Sequence, residues 1–148
     1  MVGKVIAISE AVSLGFHGMG ILAASKKRLS AREISEILDV SEAHLTKVFQ
    51  RLVRENLISS IRGPGGGFEM KEAPENVTLL HIYQAIEGAH QVDEKICSCC
   101  DNCPFENCLL GNSVAKDATR IFMDDLSKVS LDAAILKSSR TKGESLPV

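Results

Sequence analysis

The sequence predicts a mainly α-helical fold with one small β-hairpin and a long C-terminal helix. Three observations predict it. Two capped helical patterns lie within residues 30–56, separated by only three residues. A glycine-rich turn between two short alternating runs follows at once, at 57–70, and a long apolar periodicity occupies 113–129.

Residues 5–24 read as a first helix, with Val12, Phe16, Met19 and Leu22 on its apolar stripe. Gly15, Gly18 and Gly20 each cost up to about 1 kcal/mol against alanine, so this helix needs tertiary contacts, and its small residues suit close approach of another helix. Next, Ser30-Ala-Arg-Glu33 forms a capping box, in which hydroxyl and carboxylate satisfy backbone N–H groups at a helix start. Ile34, Ile37 and Leu38 follow as one face. Asp39-Val40-Ser41 breaks the chain, and Ser41 caps a further helix running to about Asn56. Its apolar stripe is Leu45, Val48, Phe49, Leu52 and Val53, while Glu42, His44, Thr46, Lys47, Gln50, Arg51 and Arg54 form a polar face.

Residues 57–61 alternate like a strand, the run 63–67 must turn, and 68–70 can return as a second strand. Thr78 caps another amphipathic helix over 79–88, carrying Leu80, Ile82, Tyr83 and Ile86. An irregular stretch of about 89–109 holds all the cysteines and suggests a segment organised by a ligand. In 113–129, Val114, Ala118, Ile121, Phe122, Leu126 and Val129 read as one stripe of a long helix outside the compact head, which favours pairing with a second copy. Ser130 caps a short final helix through Leu136, and the polar remainder is expected to be disordered.

At 148 residues with 45% hydrophobic content, the chain can bury one real core. No stretch approaches the ~18 uninterrupted apolar residues of a membrane span, and the N-terminal stretch lacks a small-residue cleavage pattern, so the expectation is a cytoplasmic protein without a membrane partner. Net charge is −2, but unevenly spread: residues 1–71 hold 10 Lys/Arg against 7 Asp/Glu, and 72–148 hold 7 against 12. The basic half is where a nucleic acid would bind.

Two helices joined by three residues, the second partly basic on its outer face, with a tight hairpin directly after, is the order of a winged helix-turn-helix. The second helix of the pair would enter a major groove by its N-terminal part, with Ser41, Glu42, Ala43, His44, Thr46 and Lys47 near base edges and Arg51 or Arg54 near phosphates. Arg62 and Gly63, at the hairpin tip, would meet a narrow, negative minor groove. The glycine run lacks the lysine and Ser/Thr of a phosphate-binding loop, so it is read as a turn. No nucleophile and base of motif quality are present, so the chain is not read as an enzyme.

Five cysteines, Cys97, Cys99, Cys100, Cys103 and Cys108, fall within twelve positions. In a reducing compartment such a cluster points to metal ligation or redox chemistry rather than structural disulfides, and thiolates suit an iron–sulfur cluster or zinc. Ordering so long a segment costs about 1 kcal/mol or more per residue, which metal ligation can offset.

From residue 11 to 136 the sequence closely resembles the Rrf-two family of bacterial regulators, which includes IscR-like and NsrR-like members. Its most specific stretch is Leu57-Ile-Ser-Ser-Ile-Arg-Gly-Pro-Gly-Gly-Gly-Phe68. The resemblance implies a homodimer through the long helix, a palindromic site on double-stranded promoter DNA, and three cluster cysteines, which map onto Cys97, Cys103 and Cys108. IscR-like members with a 2Fe–2S cluster have a histidine three residues after the last cysteine, where this chain has Gly111. NsrR-like members take a carboxylate from the partner's first helix, at a position that here holds Ser13. Glu10 and His17 lie nearby, and Cys99 and Cys100 are additional thiols, so all five are extra or alternative ligands and the cluster type, 4Fe–4S or 2Fe–2S, stays open.

The expected organisation is a winged helix-turn-helix at 1–88, a cysteine-rich cluster-binding segment at 89–111, a dimerisation helix and short final helix at 112–137, and a disordered tail at 138–148. The expected function is a transcription regulator, the repressor being the commoner family output, that senses iron–sulfur status, nitric oxide or redox state. A zinc-based or thiol–disulfide regulator of the same fold is the alternative, and a small electron-transfer protein a more distant one.

Overall fold

The structure is a computed structural model that describes residues 8–89 and 114–142. Within them the order is α1 (Glu10–Ser25), α2 (Ala31–Leu38), α3 (Glu42–Arg54), β1 (Ile58–Ile61), β2 (Gly67–Met70), a 3-10 turn (Pro74–Asn76), α4 (Leu79–Glu87), α5 (Val114–Lys128) and α6 (Leu131–Lys142).

Serine and threonine caps set most helix starts. Ser9, in extended conformation, accepts from the Val12 amide, so α1 begins at Glu10 rather than near residue 5. Ser30 and Glu33 form the reciprocal capping box on α2, and Thr78 with His81 forms another on α4. Ser41 accepts from the His44 amide at 3.4 Å and starts α3.

The core lies where α1 crosses α3 and α4. Val12, Met19 and Leu22 of α1, Leu45, Phe49 and Leu52 of α3, and Ile82 of α4 are buried together with Ile34, Ile58 and Leu131. Glycines permit the close crossing: a Cβ on Gly15 would stand 2.1 Å from Ile86 Cδ1, and one on Gly18 would stand 2.6 Å from Phe49 Cε2. The helix that glycine weakens is held by the contacts glycine allows.

β1 and β2 pair antiparallel, with Ser59 opposite Glu69 and Ile61 opposite Gly67. Leu29 pairs with Phe68 in both directions, at 3.0 and 2.7 Å, so the α1–α2 link adds a one-residue third strand to β2. Gly67 is required at this junction. Its φ is +148°, and a Cβ would stand 2.5 Å from the Leu29 carbonyl oxygen.

Two expectations for the C-terminal part are corrected. Helix α5 does not stand outside the head: its Phe122 ring meets Tyr83 edge-on with centroids 5.6 Å apart, Leu126 is buried, and α6 behind it buries Leu131 in the same core, with Thr78 pairing with Ser130. The expected single stripe on α5 accordingly splits into an inner face with Phe122 and Leu126 and an outer one with Val114, Ala118 and Ile121. The final helix also continues past Leu136 to Lys142, so residues 138–142 are not part of a disordered tail. After Ser130 the first glycine is Gly143, and nothing earlier in that run breaks a helix. No described helix is long and apolar enough to cross a membrane.

Candidate nucleic-acid interface

Helix α3 is the element that could read a groove, because its two faces differ so sharply. Leu45, Val48, Phe49 and Leu52 are buried, with the Phe49 ring edge-on to Phe68 at 4.9 Å, which seats α3 against the hairpin. The opposite face leaves Glu42, Ala43, Lys47, Gln50, Arg51 and Arg54 exposed, with His44 and Thr46 half-buried. Asp39, in the left-handed region at φ +54°, makes the sharp exit from α2.

Each predicted side chain has a definite setting. The Ser41 hydroxyl is engaged as the helix cap. Thr46 Oγ1 donates to the Glu42 carbonyl at 2.8 Å, which fixes its rotamer against the helix. His44 Nδ1 lies 3.6 Å from Glu10 Oε1, an ion pair when the imidazole is protonated. Arg51 Nη1 donates to the Ile86 carbonyl at 2.7 Å, so this residue ties α3 to the end of α4.

Arg62, Gly63, Pro64 and Gly65 are all exposed at the hairpin tip. Gly63 at φ +98° and Gly65 at φ +71° make the turn, closed by the Gly66 amide on the Gly63 carbonyl at 2.9 Å. Sequence reasoning missed Arg28, which donates to Glu69 and to the Gly65 carbonyl. The Lys26-Lys27-Arg28 run was visible, but its partner lies 41 residues away and leaves no local pattern.

The α1 residues considered as ligands share one face of that helix. Ser13 offers its backbone carbonyl to His17 Nδ1 at 2.7 Å, and Glu10 faces His44. Cys97, Cys99, Cys100, Cys103 and Cys108 lie outside the described residues, as does Gly111. Among the described residues no group of three or more His, Cys, Asp or Glu side chains is gathered to hold a metal ion. The sequence itself places five thiols within residues 97–108, a donor type that suits an iron–sulfur cluster or zinc. That run lies between the end of α4 and the start of α5. At the α4 end, Glu87 accepts from the Ser9 hydroxyl and Ile86 from Arg51, so α1, α3 and α4 meet where the cysteine-bearing stretch departs.

Residues 8–136 match the profile of Rrf2, described as iron-dependent transcriptional regulator. BadM of Rhodopseudomonas palustris, named as an HTH-type transcriptional regulator, is 33% identical over 143 residues, covering 95% of this chain and 89% of BadM. IscR of Pectobacterium carotovorum, also named as an HTH-type transcriptional regulator, is 26% identical over 103 residues. That match covers 70% of this chain and 62% of IscR, so it spans less than two thirds of that relative's length. In three dimensions the chain resembles T. potens IscR with a TM-score of 0.75 at 19% identity, over 95% of this chain and 94% of that one. It also resembles CymR, described as the global cysteine regulator of B. subtilis, with a TM-score of 0.68 at 21% identity, over 90% and 98%. These likenesses establish the winged-helix fold.

Proposed function

The chain belongs to the Rrf2 family of transcriptional regulators, and from that premise we propose that it is a homodimeric repressor of palindromic promoter sites whose DNA affinity is set by a cysteine-ligated iron–sulfur cluster. The observation that carries the DNA-binding part is the two-faced α3 with the exposed Arg62 turn beside it. Ser41, Glu42, Ala43, His44, Thr46 and Lys47 read the major groove, Arg54 approaches phosphates while Arg51 holds the Ile86 carbonyl, and Arg62 with Gly63 enters the minor groove. The outer face of α5 pairs with a second copy, which sets the spacing of the two α3 helices.

In this reading residues 1–88 bind DNA, 89–111 hold the cluster and 112–137 form the dimer contact. Cys97, Cys103 and Cys108 hold the cluster, with the fourth ligand drawn from Cys99, Cys100, Glu10, Ser13 or His17. When bound, such a cluster supplies a redox-sensitive centre held by thiolates. The chain's own residues transmit its state, because Arg51 and Ser9 join α3 and α1 to the end of α4. For a switch, the two states of the cysteine segment must favour different dimer geometries by a few kcal/mol. The signals consistent with this are iron–sulfur supply, nitric oxide and redox state.

A second reading keeps the DNA-binding role and replaces the cluster by zinc or by a thiol–disulfide pair within residues 99–103. It is favoured by Gly111, which stands where IscR-like members carry a histidine, and by the two extra thiols. Anaerobic purification with iron and sulfide counts separates the two. Visible absorbance with matched iron and sulfide supports the cluster, whereas colourless protein with zinc or no metal supports the second reading. Anisotropy of a duplex selected by the protein from a random pool tests DNA binding itself. Strong salt dependence is expected, and Arg54→Ala should lower the salt slope by about 1.

A further inference from the structure

Arg28 stands outside the helix-turn-helix and outside the hairpin, yet its guanidinium reaches both parts of the hairpin. Nε and Nη2 donate to Glu69 Oε2 of β2 at 3.2 and 3.0 Å, and Nη1 donates to the Gly65 carbonyl of the turn at 3.4 Å. Glu69 is itself held from the other side, since its Oε1 accepts from Ser59 Oγ on β1 at 3.3 Å. Directly beside Arg28, Leu29 makes both backbone bonds to Phe68. One arginine therefore spans the α1–α2 link, the second strand and the turn, and through Glu69 it engages the first strand.

This arrangement has little to do with fold stability. The Arg28 and Glu69 side chains are 36% and 40% exposed, and ion pairs in such settings contribute little, commonly well under the worth of a buried contact. The turn it braces is a different matter. Gly63, Gly65 and Gly67 all sit at positive φ, and a two-stranded hairpin with a glycine-rich turn has little intrinsic rigidity. Arg62, next to Gly63, carries the only charge in the exposed turn 62–66. An arginine delivered from a loose turn loses affinity to ordering entropy, and a turn held in advance avoids that loss.

We propose that Arg28 is a positioning residue for DNA recognition, holding the hairpin turn through Glu69 and Gly65 so that Arg62 is presented in one fixed orientation. The proposal rests on the DNA-binding reading above and adds a residue that belongs to neither the helix-turn-helix nor the hairpin. It differs in a checkable way from the simpler idea that Arg28 is itself a phosphate contact. If Arg28 touched phosphate, removing the nearby negative charge of Glu69 would tighten binding. If Arg28 acts through Glu69, removing Glu69 loosens it.

The test uses the full-length protein and a duplex recovered by selection with the unaltered chain, with affinity read by anisotropy and stability by thermal melting. Arg28→Ala and Glu69→Ala should each weaken binding by about five- to tenfold with melting temperature nearly unchanged. Arg28→Lys keeps the charge but lacks the fork, and should bind like Arg28→Ala. In an Arg62→Ala background, Arg28→Ala should have no further effect. Hydrogen exchange of the Gly66 amide in the free protein should be faster in Arg28→Ala, a readout that a phosphate contact would not move. Tighter binding by Glu69→Ala, wild-type binding by Arg28→Lys, or additive losses with Arg62→Ala would each overturn the proposal. Absence of duplex binding by the unaltered protein would overturn the underlying reading and this proposal with it, whereas binding that Arg28→Ala leaves intact overturns this proposal alone.

Discussion

Arg51 of α3 donates from Nη1 to the backbone carbonyl of Ile86, 2.7 Å away, in the last turn of α4. Carbonyls in a final helical turn lack intrahelical partners, and a cation there is favoured by both hydrogen bonding and the helix dipole. The bond fixes α3 relative to the point where the chain leaves α4 toward the cysteines. Arg51→Ala should therefore destabilise the protein by about 1.5–3 kcal/mol, the range for hydrogen bonds to charged groups, as read by urea denaturation without DNA. A residue engaged only with phosphates would leave that denaturation curve unmoved.

Gly18 and Gly20 lie two residues apart in α1 and should respond to alanine with opposite signs. At Gly18 the new methyl would press on the Phe49 ring at 2.6 Å, and ring atom Cζ is only 2.8 Å away. Overpacking of this kind costs about 1–3 kcal/mol, more than the ~1 kcal/mol gained in helix propensity. At Gly20 nothing lies within 4 Å, so the propensity gain stands alone and Gly20→Ala should stabilise by up to about 1 kcal/mol. Melting both variants beside the parent checks the pair.

Local chemistry made the head of the molecule legible. The Ser30 and Glu33 capping box, the Leu45 to Leu52 stripe and the glycine turn are all written within a few residues of where they act, and each is where its pattern predicts. The C-terminal helices were read less well for a physical reason. The periodicity of α5 records which positions are apolar but not which neighbour covers them, so Phe122, which meets Tyr83, and Ile121, which faces outward, looked alike. Arg28 with Glu69 was invisible on the same grounds, since a contact across 41 residues has no periodic signature.

The Glu33 carboxyl is held below its ordinary range, first by the hydrogen bond from the Ser30 amide and then by the Ser30 hydroxyl. A carboxylate whose folded pKa is depressed contributes stability above its unfolded pKa and loses it as pH falls through the folded one. The gap in denaturation midpoint between the parent and Glu33→Ala should thus be present at neutral pH and narrow steadily as the solution is acidified below about pH 4.5. A gap of constant size down to about pH 2 would show that the ionised carboxylate is not what stabilises the start of α2.

The outer face of α5 leads to the last prediction. Val114 is 70% exposed and Ile121 58%, and with Ala118 they recur at i, i+4 and i+7 along one line of the helix. Phe122 and Leu126 lie about a quarter-turn round the helix from that line, toward the rest of the protein, with Phe122 against Tyr83. Burial of the Tyr83 hydroxyl, followed by the charge of Glu87, raises its pKa. The two faces should fail differently. Ile121→Glu places a charge on the surface assigned to the second copy, and should convert dimer to monomer in light scattering while leaving helical content intact. Phe122→Ala removes a ring from the inner contact, and should lower stability by up to about 3 kcal/mol in either assembly state. Light scattering that shows Ile121→Glu still dimeric would remove this face from the subunit contact and, with it, the proposed means of spacing the two α3 helices.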